Sequence, residues 1–570
     1  MKMRTYKFIG TGLLAIALST QVQAQQKSYT DLLKEEPEWV KKTFRKLSKK
    51  QKVAQMFFVA AYSNKSDRFT DSIAKVVKKE KIGGLVFFQG GPERQSILMN
   101  QYKAKAKTPL LIASDGEWGV GMRLDSTISY PYQMALGAMQ NNDLIYKMGL
   151  DVAKDYKRLG MHMNLAPVVD INNNAKNPVI NYRSFGENKY NVAIKSAAYM
   201  KGMQDAGLLV SIKHFPGHGD TDVDSHYDLP QLTFDKNRLD SLELYPFREL
   251  INQGANGVMI AHMNIPSLDP TPNIPSTLSK PIVTDLLRNE LGFQGLVISD
   301  AMGMKGVVKH YRDGEADVMG IIAGNDVLEL SEDSKRAVKL VLKAVKEKRL
   351  DMAQIDQSVK RILTAKYWAN AHLDKEVPLE NIHADVYRAE SQALIQQMAD
   401  ASMTLLKGRD YISSLNPTNR TVLVDIGVAE ESTFQTEMAQ LYGNNIKLRL
   451  DKNASPEAIQ QVLAQIKPGD QIFVGIYDTR TRPNNNLALS ADVKQFISNM
   501  VNQGAAFALF CNPYNIPLMT GVENAKALLV AYQKEAFMQK SAAAVYKKAL
   551  VTTGKLPVTI SPFFKYGDGE

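Results

Sequence analysis

The run Gly295-Leu296-Val297-Ile298-Ser299 is one of eight short apolar segments that decide the fold of this chain. Such segments, without polar alternation, are typical of strands that are buried on both faces of a parallel sheet. The stretches between them, such as Ser72–Val77, have the apolar spacing of helices. The predicted strands are Ala54–Val59, Gly83–Phe88, Leu110–Ser114, His162–Val169, Leu209–Lys213, Gly257–Ala261, Gly295–Ser299 and Ile321–Leu328.

Strands that alternate with helices over roughly 280 residues predict a (β/α)8 TIM-like barrel, whose active site lies at the carboxyl ends of the strands. A polar, proline-containing segment, His372–Asp385, then predicts a linker. Further apolar runs predict a smaller α/β sandwich domain with an open, doubly wound sheet. These strands are Val422–Ile426, Ile446–Leu450, Ile472–Ile476, Ala506–Phe510 and Leu528–Tyr532.

The same patterns predict the domain limits of an α/β protein. Residues 1–24 are predicted to be a signal peptide and residues 25–370 the (β/α)8 catalytic domain. Residues 371–400 are predicted to form a linker and a connecting helix. Residues 401–570 are predicted to form the C-terminal α/β sandwich domain.

The first residues indicate export. Lys2, Arg4 and Lys7 precede the apolar run Phe8–Leu18, and a small-residue cleavage site ends at Ala24. This order is that of a secretory signal peptide, and the apolar run is too short to span a bilayer. We therefore expect the mature protein to be secreted across the inner membrane into the periplasm, although the pattern does not separate the periplasm from export further out.

Composition bounds the partners and the chemistry of the chain. A net charge of +11 is spread over 570 residues, without a block of like charges that would indicate a nucleic-acid-binding tail. The only cysteine, Cys511, excludes an intramolecular disulfide. No later apolar stretch is long enough to span a membrane. We expect no nucleic-acid partner and no membrane span, and the oligomeric state stays open.

The densest group of chemically active residues runs from Lys213 to His226, in the sequence Lys-His-Phe-Pro-Gly-His-Gly-Asp-Thr-Asp-Val-Asp-Ser-His. His214 and His218 have a spacing that would place two metal ligands on one face of a helix. A proline and two glycines among these residues favour a loop instead, so we predict no metal site.

Two further positions could carry acid–base and nucleophilic chemistry. On a loop, Asp224 can hold His226 through one ring nitrogen and leave the other free to transfer a proton. Asp300 follows the predicted strand Gly295–Ser299 and could attack an anomeric carbon at the barrel mouth. The alternatives are a surface turn for the first pair and a helix cap for Asp300.

Taken together, Lys-His-Phe-Pro-Gly-His-Gly, Asp-Ser-His and Ile-Ser-Asp-Ala-Met resemble glycoside hydrolase family 3, and the Asp-Ser-His element is similar to its β-N-acetylglucosaminidase branch. The resemblance covers nearly the whole mature chain and implies a barrel followed by an α/β sandwich domain. It implies that Asp300 is the nucleophile, His226 the acid/base and Asp224 the partner of His226.

The resemblance also implies a set of substrate-binding residues, for which core salt bridges are the alternative. They are Asp115 and Arg123 in Asp-Gly-Glu-Trp-Gly-Val-Gly-Met-Arg, Arg183 in Tyr-Arg-Ser-Phe-Gly, and Lys213 with His214. The chain departs from the family at Trp118, where glycine is common, and this residue could stack on a sugar or fill a gap in the barrel. Glu535 is a second-domain contender for the acid/base, but packing or solubility is the favoured role.

These observations predict a retaining β-N-acetylhexosaminidase that releases terminal β-linked N-acetylglucosamine by double displacement. The expected partner is a carbohydrate substrate from peptidoglycan fragments, chitin oligomers or glycans, and no metal or organic cofactor is required. A β-N-acetylglucosaminide phosphorylase and a β-glucosidase are alternatives from the same family. A non-catalytic glycan-binding protein is the alternative from another class. The natural aglycone and the role of the second domain stay open.

Overall fold

The computed structural model describes residues 27–224, 227–311, 314–373, 375–481, 483 and 486–570, so the predicted signal peptide lies outside the described residues. The strands of the first part are β1 (Phe57–Ala61), β2 (Gly84–Phe87), β3 (Leu111–Ser114), β4 (Met163–Asn164), β5 (Leu209–Val210), β6 (Ile212–Phe215), β7 (Gly257–Ile260), β8 (Leu296–Ser299) and β9 (Leu328–Glu329). Those of the second part are β10 (Thr404–Lys407), β11 (Thr421–Ile426), β12 (Asn445–Leu450), β13 (Gln471–Tyr477), β14 (Ala506–Phe510) and β15 (Ala527–Val530).

The α-helices cover both sheets. Those of the first part are α1 (Tyr29–Glu35), α2 (Glu38–Lys46), α3 (Lys49–Gln55), α4 (Asp67–Glu80), α5 (Pro92–Lys103), α6 (Gln133–Ala138), α7 (Asp143–Arg158), α8 (Lys189–Asp205), α9 (Lys236–Ser241), α10 (Tyr245–Asn252), α11 (Lys305–Val308), α12 (Glu315–Ala323), α13 (Ser334–Lys346) and α14 (Met352–Trp368). The remaining ones are α15 (Ile382–Asp385), α16 (Ala389–Ser402), α17 (Arg409–Ser414), α18 (Thr433–Leu441), α19 (Pro456–Leu463), α20 (Ala491–Asn502) and α21 (Ala536–Tyr546).

The first part of the described chain is a closed parallel barrel. Strand β1 pairs with both β2 and β9, and pairing continues from β2 through β3 and β4 to β5. Strands β5 and β6 are two halves of one strand, interrupted at Ser211, and β6 pairs with β7 and β7 with β8. A parallel bridge between Ile298 and Val327 links β8 to the residue before β9. The predicted (β/α)8 barrel is therefore confirmed.

The helices that cover the barrel have the N-cap residues and the apolar stripes that the sequence predicts for helices. Helix α13, for example, is capped by Asp333, whose side chain accepts a hydrogen bond from the backbone N–H of Arg336. Its buried residues include Ala337, Val341 and Ala344, whose spacing of three and four places them on one face against the barrel. Hydrophobic burial of this stripe, rather than helix propensity alone, stabilises the helix.

The prediction of a strand over Ile321–Leu328 is wrong in its first half. Ile321 lies in the last turn of α12, which ends before Gly324 at a positive φ of 117°. Only Leu328 and Glu329 form strand β9. A short apolar run looks the same in a buried helix and in a buried strand, and here the glycine that permits a left-handed helix end separates the two.

The second part contains an open sheet, which confirms the predicted α/β sandwich domain. Its strand order in the described residues is β10-β15-β14-β13-β11-β12, with β11 to β15 parallel as in a doubly wound sheet. Strand β10 was not predicted, and it pairs antiparallel at the edge beside β15. Strand β10 begins two residues after α16 ends. The connection is too short to contain the turn residues that would have marked the start of a strand in the sequence.

The segment between the two sheets is anchored to the barrel. Helices α15 and α16 lie within or next to the predicted linker, and the predicted domain limits themselves stay a prediction. Arg388, which precedes α16, pairs with Asp151 at 2.8 Å and with Asp155 at 2.5 Å, both on α7. None of the helices in the described part of the chain is long and apolar enough to cross a membrane.

The second domain sits against loops that follow barrel strands. The backbone N–H of Tyr132, in the connection after β3, donates to the side-chain oxygen of Gln533 at 2.8 Å. Asn512 donates to the side-chain oxygen of Asn181, in the connection after β4, at 2.6 Å. Because these loops lie at the carboxyl ends of the strands, the second domain borders the end of the barrel where active sites form.

Candidate active site

Lys213 is the centre of the charged network at the barrel mouth. It lies on β6, and its Nζ is 2.8 Å from Asp115 Oδ1 and 2.9 Å from Glu117 Oε1. Arg123 binds the other carboxylate oxygen of Asp115. Burial alone would raise the pKa of Asp115, but Lys213 and Arg123 outweigh it and hold that pKa below its usual range. Of the two residues predicted from this motif, Asp115 bonds Lys213 directly and Arg123 is joined to it through Asp115.

Arg183 grips Glu117 from the other side. Its Nε donates to Glu117 Oε2 at 2.9 Å and its Nη2 donates to Oε1 at 2.7 Å, a bidentate pair that fixes both planar groups. Glu117 is fully buried, and burial would raise its pKa. Arg183 and then Lys213 outweigh burial and lower this pKa to about 2. The carboxylate is therefore ionised and held in one orientation.

Asp170 positions His214 and the start of the loop that follows β6. Its Oδ2 is 2.7 Å from His214 Nδ1, and its Oδ1 accepts the backbone N–H of His218 at 2.7 Å. When Nδ1–H donates to this carboxylate, the remaining ring nitrogen that can face a ligand is Nε2. That nitrogen is 3.4 Å from Arg183 Nη2, at the same mouth. All five substrate-binding residues predicted from sequence thus form one connected network with Asp170 and Glu117, which Arg123 joins through Asp115.

The metal-binding alternative for His214 and His218 has no structural basis. Residues 212–215 form strand β6 and a turn follows, so the two rings do not share a helix face. His218 Nδ1 is 2.8 Å from Thr221 Oγ1. Burial, and then the nearby His214, lower the pKa of His218 to about 4, which leaves it neutral at pH 7. Within the described ranges, no His, Cys, Asp and Glu residues form a group of three that could hold a metal ion.

Asp300 stands directly after β8, half-buried at the mouth. Its backbone N–H donates to the carbonyl of Ile260 at 2.9 Å, and its Oδ1 accepts the N–H of Ala301 at 2.7 Å. The helix-cap alternative fails because the next helix, α11, has Met304 at its N-cap. Ile260 pairs with Phe215 of β6 and with Ser299 of β8, so Asp300 lies at the same end of the barrel as the charged network around Lys213.

The predicted acid/base pair is only half described. The backbone carbonyl of Asp224 accepts the N–H of Tyr227 at 2.9 Å. His226 lies outside the described residues, so its relation to Asp224 stays a prediction. The loop that leads to it is anchored, since Asn177 donates to the carbonyl of His218 at 2.8 Å.

Glu117, Asp170 and Glu329 belong to this site and were not predicted. Asp170 follows the predicted strand His162–Val169, and Glu329 follows the predicted strand Ile321–Leu328, as Asp300 follows its own strand. The rule that selected Asp300, a carboxylate directly after a barrel strand, would have selected both. Glu117 lies two residues after Asp115 in the same motif, and no pattern separated it from a core acid.

Trp118 belongs to an aromatic cluster beside the network. Its ring centroid lies 4.8 Å from that of Tyr132, in an edge-to-face arrangement, and 6.1 Å from that of Tyr182. Both tyrosines line a cavity of about 170 Å³ between the barrel and the second domain, and Glu535 of the second domain also lines it. The carboxylate of Glu535 accepts a hydrogen bond from Gln533 at 2.9 Å. Asp300 and Lys213 are not among the residues that line this cavity.

A closed parallel barrel with a paired charge network and a strand-end aspartate at its mouth defines the class of (β/α)8-barrel enzymes that bind polar ligands. A sequence model described as the glycosyl hydrolase family 3 N terminal domain matches residues 48–365. The chain belongs to this family, as the motifs around Lys213 and Asp300 indicated.

Curated relatives and solved structures agree with this assignment. The chain is 32% identical over 326 residues to Beta-hexosaminidase A of Pseudoalteromonas piscicida. The aligned region covers 52% of this chain and only 54% of that protein. The chain is 30% identical over 338 residues to a beta-hexosaminidase of Mycobacterium tuberculosis, covering 56% of this chain and 83% of that protein. The structure of a glycoside hydrolase family 3 beta-N-acetylglucosaminidase from Paenibacillus sp. str. FPU-7 is 29% identical, with a TM-score of 0.77, and covers 90% of this chain and 99% of that chain.

Proposed function

We propose that this protein is a retaining β-N-acetylhexosaminidase that hydrolyses terminal β-linked N-acetylglucosamine from oligosaccharides. The observation that carries the proposal is the network in which Lys213 joins Asp115 and Glu117 at the end of the barrel where Asp300 follows β8. The names of the relatives above, β-hexosaminidase and β-N-acetylglucosaminidase, support the choice of sugar. Because these ion pairs fix the orientation of the charged groups, the network is preorganised to bind a sugar.

In this proposal the charged groups hold the sugar and Asp300 reacts with it. Asp115 accepts hydrogen bonds from sugar hydroxyls, while Lys213 and Arg183 donate to hydroxyl oxygens. Asp300 attacks the anomeric carbon, and the bond to the leaving oxygen breaks as that oxygen receives a proton. A glycosyl-enzyme ester forms, and water attack on it returns the free carboxylate and releases the sugar with retained configuration.

The proton is assigned to His226, oriented by Asp224, as the Asp-Ser-His motif suggests. His226 gives its proton to the leaving oxygen in the first step and takes one from water in the second. An imidazole suits both steps because its ordinary pKa of about 6.5 lies near neutral pH.

The test is a set of initial rates on an aryl β-N-acetylglucosaminide and on the matching aryl β-glucoside, each with and without inorganic phosphate. We expect phosphate-independent release from the N-acetyl substrate, and loss of at least about 10³-fold in kcat for Asp300→Ala. A rate that requires phosphate would identify a phosphorylase, and a preference for the glucoside would change the sugar. An unimpaired Asp300→Ala variant would remove the nucleophile assignment.

Export to the periplasm forms part of the proposal, since the charged start, short apolar run and small-residue site up to Ala24 fit a cleaved signal peptide. Cell fractionation of the full chain, with N-terminal sequencing of the product, tests it. We expect the protein in the periplasmic fraction with a first residue near Gln25. A cytoplasmic protein that retains its first residues would contradict export.

A further inference from the structure

Glu329 is a buried carboxyl group at the end of the last barrel strand, only 4% exposed. Its backbone is fixed from both directions. The N–H of Glu329 donates to Ser299 Oγ at 3.0 Å, and its carbonyl accepts the N–H of Met302 at 2.8 Å. The residue is therefore held next to β8, the strand that ends just before Asp300.

The side chain of Glu329 faces the charged network. The charged groups that act on it are Asp115, after β3, Asp300, after β8, and Lys213, on β6. Leu328, the residue before Glu329, packs outward, with its Cδ2 3.2 Å from where a Cβ at Gly320 of α12 would lie. Because side chains alternate along a strand, the side chain of Glu329 points into the barrel. Its Oε1 is buried and has no hydrogen-bond partner among the residues that the structure describes.

The surroundings favour the neutral form of this carboxyl group. Burial, and then the negative charges of Asp115 and Asp300, raise the pKa of Glu329 well above its ordinary value. Lys213 opposes this shift, but its ammonium group already bonds Asp115 and Glu117. The neutral form of Glu329, which burial beside two carboxylates favours, has an O–H group that can donate a hydrogen bond.

We propose that Glu329 contacts the substrate and donates a hydrogen bond from its neutral carboxyl group to a hydroxyl of the sugar bound beside Asp300. The inference rests on the proposed function in that the site must hold a sugar. It explains why a buried polar atom has no protein partner in the described site, since such atoms in native proteins are rarely left unsatisfied. It also gives the acid-rich mouth a donor that adds no charge next to the nucleophile.

The experiment compares Glu329→Gln, which keeps a neutral donor of similar shape, with Glu329→Leu, which removes the donor. Both are assayed on the aryl glycoside that the wild type hydrolyses fastest and on its 3-, 4- and 6-deoxy analogues. We expect Glu329→Gln to keep kcat/KM within about 3-fold and Glu329→Leu to lose about 10-fold or more on the full sugar. On one deoxy analogue the loss for Glu329→Leu should nearly disappear, because the hydroxyl that Glu329 contacts is absent.

A matched control is Asp425→Asn, which alters a buried carboxyl group on β11 of the second domain, where burial raises the pKa to about 7. It should leave kcat/KM unchanged on every analogue. Equal losses for Glu329→Leu on all analogues, or an equal loss for Glu329→Gln, would overturn the inference. Infrared difference spectra at pH 7 add a readout that does not need turnover, since the carbonyl band of a carboxylic acid must disappear in Glu329→Gln.

The proposed function and this inference fail in different ways. A wild type that prefers the β-glucoside ends the assignment of the N-acetyl sugar, while the deoxy-glucoside series still tests Glu329. A wild type without activity on either sugar ends the proposed hydrolase. The infrared band then decides between a neutral and an ionised Glu329, and an ionised group refutes the inference.

Discussion

Replacing Glu117 by glutamine should destabilise the barrel at neutral pH and much less in acid. Glu117 is fully buried, and its bonds to Arg183 and Lys213 lower its pKa from 4.5 to about 2. That difference means that the folded protein favours the ionised form of Glu117 over the neutral form by roughly 3 kcal/mol. The value is close to the cost of removing one partner of a buried ion pair. We therefore expect Glu117→Gln to lower the free energy of unfolding by about 3 kcal/mol at pH 7.

The sign of the pH dependence follows from the lowered pKa. The contribution of the Glu117 carboxylate is fully present above pH 4.5 and is lost as pH falls toward about 2. The difference between wild type and Glu117→Gln should therefore shrink between pH 4.5 and pH 2.5, the lower end being within about one unit of the folded-state value. Urea unfolding followed by tryptophan fluorescence reports on the barrel, because all three tryptophans, Trp39, Trp118 and Trp368, lie in its part of the chain.

Glu431→Gln is the control for this measurement, because it removes an exposed carboxylate that pairs with Lys447 in the second domain. It should change barrel stability little at any pH. A Glu117→Gln variant that is as stable as the wild type at pH 7, or whose deficit stays constant down to pH 2.5, would refute the reasoning.

Three other substitutions test the fold and the loop that leads to His226. Burial lowers the pKa of Lys366 to about 7, so wild-type stability should rise between pH 7 and pH 10, and Lys366→Met should flatten this rise in thermal melting curves. Arg388→Ala removes the cation between two carboxylates of α7 and should cost about 3 kcal/mol by urea unfolding; an unchanged midpoint would contradict this. Gly219→Ala would place a Cβ 1.7 Å from the carbonyl oxygen of Ile171, so kcat/KM should fall about 10-fold or more. Gly443→Ala, whose Cβ would lie in open space, should leave kcat/KM unchanged. Equal activity of the two variants would show that the loop position is unimportant.

Much of the barrel and of its charged mouth could be predicted because each apolar strand is followed in the sequence by the polar residues of the active-site end. Asp300 and Lys213 were located by apolar runs that end in polar residues, and the structure brings both to one end of the barrel. The same runs failed where composition does not distinguish conformations. Ile321 is as apolar in helix α12 as it would be in a strand, and the tertiary packing of that helix decided.

The pairing within the site could not be predicted, because it depends on residues that are far apart in the chain. Nothing in the motif around Asp115 shows that Glu117 meets Arg183, since the two lie 66 positions apart. Nothing in the motif around His214 shows that Asp170 orients its ring. Such contacts are set by the closure of the barrel, which brings the ends of β3, β4 and β6 together.

The shared bonds of Lys213 also limit how this site can change during evolution. One ammonium group serves Asp115 and Glu117, and Arg183 serves Glu117 again, so a single replacement leaves at least one buried charge with too few partners. Neutral drift at these positions therefore has to proceed through compensating pairs. Across an alignment of family members, Glu117 and Arg183 should covary, whereas Trp118, which follows Glu117 in the chain and takes no part in these ion pairs, is free to vary by itself.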